Sequence, residues 1–546
     1  MTTRRSIYWP DLLGLLLLSF AVRLALAWPQ DQPGSMDAAY YYVTAVNLAE
    51  GRGFVEDFIW NYLDDPAGLP RPSHLYWMPG GTILAWIGLV VGGVSFRAAQ
   101  GAYVVASALL APIAYGVAVR GVMGPGEEAL ENKAAGSSRR YGWVAGLLAI
   151  FSGFYAIFWA TTDNFTPFAL AGSLCLIAAW RGSISRRRWP WPWWLVAGGL
   201  AGIGHLTRAD GLLLLIAIII WRILAVRQLL NRQSLISKLL PLIPLLLGYL
   251  LITAPWFWRN YQLVGAPLPT AGAQTMWLPS YNALFSYGRD LSPAAYLAQG
   301  WGPIVQAKLN VAGTNLVQVI ASMGMIFLAP LAAIGWWRWR RCGLFQLAGL
   351  YGLLLYLVMT LIFTFPGLRG GLFHSGAALL PFIYAASVAG LDAIIDWVAA
   401  RRAAWNPNLA KTVYSAGLVG LALVVTGFAY SQRVLLNDRW SQTDRAYPAV
   451  ARWVEQQGSG EVVMIGNPPA YRYHGGGLSV IVPNEPVEVT LAVADRYGAR
   501  FLVLDRNTPP PLREHYTARP FHPRLVLSAT FRDELGQPVY IYEVRR

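Results

Sequence analysis

At 546 residues, 55% of them hydrophobic and 13% charged, the chain falls far below the roughly 25% charge of a soluble globular protein. With a mean hydropathy of +0.41, this makes lipid the solvent for much of its length and excludes a wholly soluble enzyme. The net charge of +15 does not indicate nucleic acid, because the basic residues gather in short loops between apolar runs.

A bilayer core takes about 20 apolar residues per helix, and runs of that kind recur from Leu12 to Tyr430. The first, near 8–28, lacks a small-residue cleavage site and reads as a retained anchor rather than a secretory signal. Further spans are expected near 97–120, 141–159, 165–181, 192–207, 210–228, 240–257, 313–335, 344–364, 374–396 and 412–430, eleven crossings in all. The apolar segment 80–94 is short for a span and is expected to lie at the membrane surface or re-enter it.

Arg181 with Arg186–Arg188, Arg222 with Arg227, Arg232 and Lys238, Arg338 with Arg340 and Arg341, and Arg401 with Arg402 and Lys411 mark alternate helix ends. By the positive-inside rule these ends are cytoplasmic. The chain then reads as a multi-pass protein of the cell membrane, with its N-terminus cytoplasmic and its C-terminus extracytoplasmic. Loop 29–78, with seven acids against two arginines, faces outward. So do the turns at 160–164, 206–210 and 365–373 and the loop 258–312. From about 441 the pattern changes to short β runs (EVVMIGN, LSVIVP, FLVLD) alternating with amphipathic helices near 446–457 and 486–498, and LVLSATF and VYIYEV close the chain like a hairpin. That alternation predicts a small soluble α/β domain. The fold class is therefore mainly α, a polytopic helical bundle over 1–430 (its outer loop 29–96 with juxtamembrane helices) and an extracytoplasmic α/β domain over 431–546. Cys175 and Cys342 lie in different contexts, so neither a disulfide nor Cys/His metal spacing is expected.

The outer pieces hold the candidate chemistry. Asp37 opens an amphipathic helix after Pro33-Gly34-Ser35. A first-turn acid complementing the helix dipole is the ordinary explanation. Asp163, in WATTDNFTPF, is a second acid at a membrane boundary, costly there unless paired or used. Together they suit a general base and its positioning partner. Arg208 and Asp210 in HLTRADG, Arg259 in APWFWRNYQLVGAPLPT and Arg369 in FPGLRGGLFHSG run against the positive-inside trend. Arginines at that depth either snorkel or grip a phosphate, which the guanidinium fork suits. His74 and His374 are ordinary structural donors by default, and with Tyr41 they complete the candidate binding set.

An acid in a long outer loop after the first span, an acid between spans three and four, L-T-R between five and six, and P-W-x-x-R-N-Y-x-x-x-G-x-P-L after seven together resemble the GT-C superfamily. The nearest likeness is to the protein O-mannosyltransferase-like branch, which includes bacterial aminoarabinose transferases of lipid A. The resemblance covers residues 1 to about 430, and the soluble tail resembles the outward-facing domain of many bacterial members. It implies a hexosyl- or pentosyltransferase that takes a sugar from a polyprenyl-phosphate donor. The acceptor would be a hydroxyl of a lipid, glycan or protein on the extracytoplasmic face, attacked with inversion. It further implies Asp37 as base, Asp163 as its orienting partner, and Arg208, Arg259 and Arg369 as the phosphate grip. Some members of the superfamily coordinate a divalent metal and others do not, and two separated aspartates are compatible with either. The chain departs from the aminoarabinose branch at LYWMPGG, where Met78 precedes the proline and no lysine is present, and from the mannosyltransferases in that Ala38, not Glu, follows Asp37. The competing readings are a multi-pass transporter or flippase of a lipid-linked or anionic substrate, a polymerase or ligase using polyprenyl-linked saccharides, and a scaffold. Acceptor capture or partner docking is the expected role of the tail.

Overall fold

The computed structural model describes residues 8–122, 131–185, 190–227, 239–402, 404–436, 440, 444–519 and 522–546; Arg186–Arg188, Arg232 and Lys238 lie outside them. In chain order the helices are α1 (Trp9–Ala27), α2 (Met36–Ala49), α3 (Gly80–Gly92), α4 (Phe96–Ala108), α5 (Leu110–Val122), α6 (Glu131–Ile150), α7 (Phe165–Ile184), α8 (Trp191–Thr207), α9 (Leu212–Arg227) and α10 (Leu242–Val264). They continue with α11 (Trp301–Val317), α12 (Leu328–Arg338), α13 (Gly343–Leu361), α14 (Leu380–Ala399) and α15 (Pro407–Tyr430). Among the described residues seven helices are long and apolar enough to cross a membrane, or eight if one bent pair counts as a single span. The other three expected crossings fall on α6, α8 and α9. α8 and α9 have 17 and 16 residues, and α6 opens in the polar run ENKAAGSSRR. The apolar segment expected at the surface is the 13-residue α3.

Two expected spans differ in shape. The one near 313–335 is not continuous: a π turn over Gln318–Met323 ends α11, and α12 leaves at 92° to it. Met325 and Ile326 take positive φ at the bend, and Ile326 N–H reaches back to Ile320 O (2.8 Å). The one near 141–159 stops as α-helix at Ile150, because Gly153 takes φ +61° and its N–H donates to Thr426 Oγ1 (2.9 Å). The fully buried Arg23 of α1 donates to the carbonyls of Ala149 (2.8 Å) and Ile150 (3.1 Å). It thereby satisfies acceptors that a helix end leaves open.

Charge pairs gather the opposite helix ends. Asp11 of α1 is bidentate with Arg139 of α6, Arg140 pairs with Asp392 of α14, and Lys411 of α15 reaches Asp396 (2.6 Å). The turns at 160–164, 207–211 and 365–375 lie at the other end of these helices. Within the bundle, α8 and α10 meet through small residues, the packing that lipid-embedded helices favour. A Cβ on Gly198 would overlap the carbonyl oxygen of Leu245, and one on Gly248 that of Leu195. Gly248→Val is therefore expected to lower the melting temperature sharply in detergent, with loss of monodisperse protein on size exclusion.

The soluble unit is a six-stranded sheet ordered β2-β5-β4-β6-β8-β7. Its strands are β4 (Val462–Ile465), β5 (Ser479–Ile481), β6 (Ala499–Leu504), β7 (Leu525–Arg532) and β8 (Pro538–Val544), with helices α16 (Tyr447–Gln457), α17 (Pro468–Tyr473) and α18 (Val487–Tyr497). β5, β4 and β6 run parallel, while β8 and β7 add an antiparallel hairpin. The edge strand β2 (Phe58–Ile59) comes from the first loop and pairs in parallel with β5, Phe58 opposite Ser479. The same loop forms a small ladder of β1 (Val55–Glu56) with β3 (Arg71–Pro72). Asp57 binds Arg472, and Tyr497 Oη donates to Pro66 O (2.8 Å). Loop and tail thus form one cap over the end of the bundle where the candidate residues collect.

Candidate active site

The N-terminus of α2 is set by Ser35, whose Oγ accepts from Ala38 N–H (3.2 Å), so Asp37 occupies the first turn as a dipole argument expects. The 160–164 turn is fastened to this same point. Thr161 Oγ1 donates to Pro33 O (2.9 Å) and Thr162 Oγ1 to Ala38 O (2.8 Å). Two hydroxyls therefore carry Asp163 to Asp37. The carboxylates, together with the His374 ring, place three ligating atoms within 4.8 Å of one another.

This closeness has an electrostatic consequence. Burial pushes the Asp37 carboxyl above its usual range, with the Arg208 guanidinium pulling the other way. Asp163 is raised by burial and then by the neighbouring Asp37 charge. Two acids so close titrate as a pair rather than singly.

Arg208 follows the last residue of α8. Its Nε donates to Asp210 Oδ1 (3.0 Å) and meets Ser375 Oγ (3.0 Å), while Ser375 Oγ donates to Asp210 Oδ2 (2.6 Å). The guanidinium is held by its inner nitrogen, and Arg208 lines a cavity of 160 Å³. Asp37, Tyr41, Asp210, Arg369 and His374 line that cavity too. Asp163 is buried just off its wall. Tyr41 Oη accepts from Asn164 Nδ2 (3.4 Å). Arg369 lies over the Tyr281 ring at 4.5 Å. His374 stacks on Phe165 at 4.3 Å, with Nδ1 3.2 Å from Gly370 O.

Two of the expected residues are not brought here. Arg259 does not join Arg208 and Arg369. It donates to Ser73 O (2.8 Å) and Phe54 O (3.3 Å), lies 4.4 Å over the Trp256 ring, and lines a separate, mostly apolar cavity with Pro72, Pro79 and Ile252. Its fork is taken by loop carbonyls. His74 lies outside the cavity as well. Its N–H donates to Tyr40 Oη (2.8 Å), Nδ1 is 3.1 Å from Trp77 O, and burial with the nearby Arg259 charge depresses its pKa to about 3. It is a neutral structural ring. Arg259→Ala is accordingly expected to lower thermal stability, through the unpinned loop, far more than it weakens binding of a lipid phosphate in a thermal-shift titration.

Several residues of the site were not singled out from the sequence. Asn164 and Ser375 follow Asp163 and His374 directly, and a polar neighbour at the same boundary was the available signal. Trp77, stacked on Trp60 at 3.8 Å, and Tyr281 on the 258–312 loop carried none.

Asp37, Asp163 and His374 also form a set that could hold a divalent cation, which the sequence alone did not mark. The donors are a half-buried carboxylate, Asp37, a buried one, Asp163, and an imidazole. The His374 ring is oriented through Nδ1 by a backbone carbonyl, as ligating histidines usually are. The set fits.

The arrangement is a helical bundle with spans long and apolar enough to cross a membrane, capped at one end over an acid pair and two arginines. Comparison with known proteins agrees at the level of fold. No family model and no curated protein matches the chain. Among solved structures, it is similar to ArnT from Cupriavidus metallidurans bound to undecaprenyl phosphate, with a TM-score of 0.57 and 13% identity over 97% of this chain and 98% of that one. The apo oligosaccharyltransferase of Archaeoglobus fulgidus gives a TM-score of 0.59 at 12% identity, covering 92% of this chain and 70% of that one. The oligosaccharyltransferase AglB of the same organism, in complex with an inhibitory peptide and a dolichol-phosphate, gives 0.56 at 13% identity, covering 91% and 69%.

Proposed function

We propose that the chain is an inverting glycosyltransferase that moves a sugar from a polyprenyl-phosphate donor to an acceptor hydroxyl on the extracytoplasmic face of the cell membrane. Residues 1–430 would be its catalytic domain and 431–546 an outward appendage. The observation that carries the reading is the cavity whose lining brings Asp37 together with Arg208 and Arg369 at one end of an apolar bundle. The fold shared with structures that hold undecaprenyl phosphate and dolichol-phosphate supports it.

In this mechanism Asp37 takes the proton of the acceptor hydroxyl as its oxygen bonds to the anomeric carbon. The bond from that carbon to the phosphate oxygen breaks on the opposite side, and the electron pair leaves with the phosphate. A carboxylate whose pKa is raised by burial is a stronger base than a free one, which suits general-base work. Asp163, raised further by the Asp37 charge, accepts the Asn164 N–H (2.6 Å) and orients the base. Arg208, held from behind by Asp210 and Ser375, presents fixed positive charge where the leaving phosphate gains its own. Arg369 supplies a second positive charge across the cavity. Where a divalent cation is bound, Asp37, Asp163 and His374 would hold it, and it would supply further positive charge to the phosphate.

Thermal unfolding of the detergent-solubilised protein tests the donor class. Polyprenyl phosphate is expected to raise the melting temperature of the wild type, and the free polyprenol is not. Equal shifts from the two lipids would remove the phosphate from the recognition.

A further inference from the structure

The parallel strands of the cap end in a crevice that the mechanism above does not use. β4 lies between β5 and β6, so the chain leaves β4 to one side for β5 and crosses to the other for β6. In open α/β sheets, ligands bind outside the carboxyl ends of the strands where the order reverses in this way. Here that place is a cavity of 340 Å³ lined by Gly466 and Asn467 after β4, Val482 and Asn484 after β5, and Asp505 and Asn507 after β6. Asp444 and Tyr447 close its back, and Phe285 and Tyr281 supply aromatic faces.

The crevice adjoins the catalytic cavity. Tyr281 and Arg369 line both, and of two consecutive residues at the start of α2, Met36 faces the crevice while Asp37 faces the catalytic cavity. A molecule seated in the crevice therefore ends beside the proposed base.

The lining selects the chemistry of that molecule. Asp505 is 7% exposed, Asp444 accepts Asn467 Nδ2 (3.3 Å), and four asparagines in all (Asn282, Asn467, Asn484 and Asn507) line the crevice. One Asp505 oxygen accepts the Asn507 N–H (2.7 Å), while the other meets only Tyr447 Oη at 3.4 Å. An Asp505 oxygen so weakly engaged has room to accept a hydrogen bond from a ligand. Among the described lining residues the only cation is Arg369, at the seam, so the Asp505 carboxylate disfavours a phosphate or carboxylate ligand. The loops that line the crevice after β4, β5 and β6 form no Gly-rich phosphate loop. Carboxylate and amide acceptors beside aromatic faces match a neutral ligand bearing many hydroxyls.

We infer that this crevice is the acceptor subsite and that it binds an uncharged saccharide whose free hydroxyl is presented to Asp37. The inference rests on the transferase reading and names its acceptor class.

Saturation-transfer NMR tests it, on the full chain in a detergent without a sugar headgroup. The probes are neutral methyl glycosides of the gluco, galacto, manno and arabino series. At least one is expected to bind the wild type, and to bind Asp37→Asn equally, because that variant leaves the crevice intact. Asp505→Asn keeps an oxygen for the Asn507 N–H, so the fold is retained. It should bind about tenfold more weakly, from the loss of charge-assisted hydrogen bonds. Gly466→Leu fills the crevice: its Cβ sits at an ordinary 3.8 Å from Asp505 Oδ2 and Tyr447 Oη, and binding should vanish with the melting temperature unchanged. No binding of any glycoside to the wild type overturns the inference, as does unaltered binding in Gly466→Leu, or displacement of the glycoside by a short neutral peptide. None of these outcomes bears on transfer by Asp37, which is measured separately.

Discussion

Asp37→Asn is expected to reduce transfer by about 10²–10⁴-fold, the usual contribution of a positioned general base, while the protein inserts, purifies and melts like the wild type. The separation of activity from stability follows from the local structure. The Ser35 cap that starts α2 does not involve the Asp37 side chain, and Thr161 and Thr162 hold the neighbouring turn through backbone carbonyls. What the substitution removes is the proton acceptor and a first-turn charge worth about 0.3–1 kcal/mol to the helix. The pH profile of kcat/KM carries a second signature. With the Asp37 pKa raised by burial, the acid limb should lie above that of an ordinary aspartate. Activity is present where Asp37 is ionised and falls as pH drops through its pKa. Asp163 is raised by burial and by the Asp37 charge and stays protonated as Asp37 titrates, so Asp163→Asn should leave the limb close to its wild-type position.

Arg208→Ala should cost about 10²–10³-fold in kcat, the size of effect seen when one preorganised group facing developing charge is lost. Its effect on the acid limb has the opposite sign. The Arg208 charge lowers the Asp37 pKa, so its removal raises that pKa and moves the limb to higher pH. Steady-state rates across pH, with a polyprenyl-phosphate sugar, read both changes. Arg208→Lys should restore the charge in part and little of the rate, since an ammonium does not reproduce a guanidinium held by Nε between Asp210 and Ser375. Ser375 Oγ still donates to Asp210 in either variant, which keeps the 208–211 turn in place and the melting temperature near that of the wild type.

Much of this was legible in the residues. Long apolar runs mark helices whatever their partners, and the strands of the cap alternate with amphipathic helices clearly enough to give β4, β5, β6 and the closing hairpin. Asp37 and Asp163 stood out because a carboxylate at a membrane boundary needs a reason. The structure supplies one that no local pattern holds, the threonine hydroxyls that join two distant turns. The two-residue strand β2 was not legible, since so short a stretch gains its conformation from the β5 edge rather than from its own residues. The break near 318–326 is similar: its helical run contains Gly324, but the bend depends on Met325 and Ile326 adopting positive φ within tertiary packing. Arg259 and Arg208 read alike because both interrupt apolar sequence at the same face. Only the path of α10 decides that one fork meets loop carbonyls and the other a cavity.

The most direct test is transfer of radiolabelled sugar from a panel of polyprenyl-phosphate donors to membrane extract, with purified wild type and Asp37→Asn side by side. Label reaching an acceptor with the wild type alone is the predicted result. Equal transfer by both proteins would remove Asp37 as the base, and no transfer by the wild type from any donor would contradict the glycosyltransferase account.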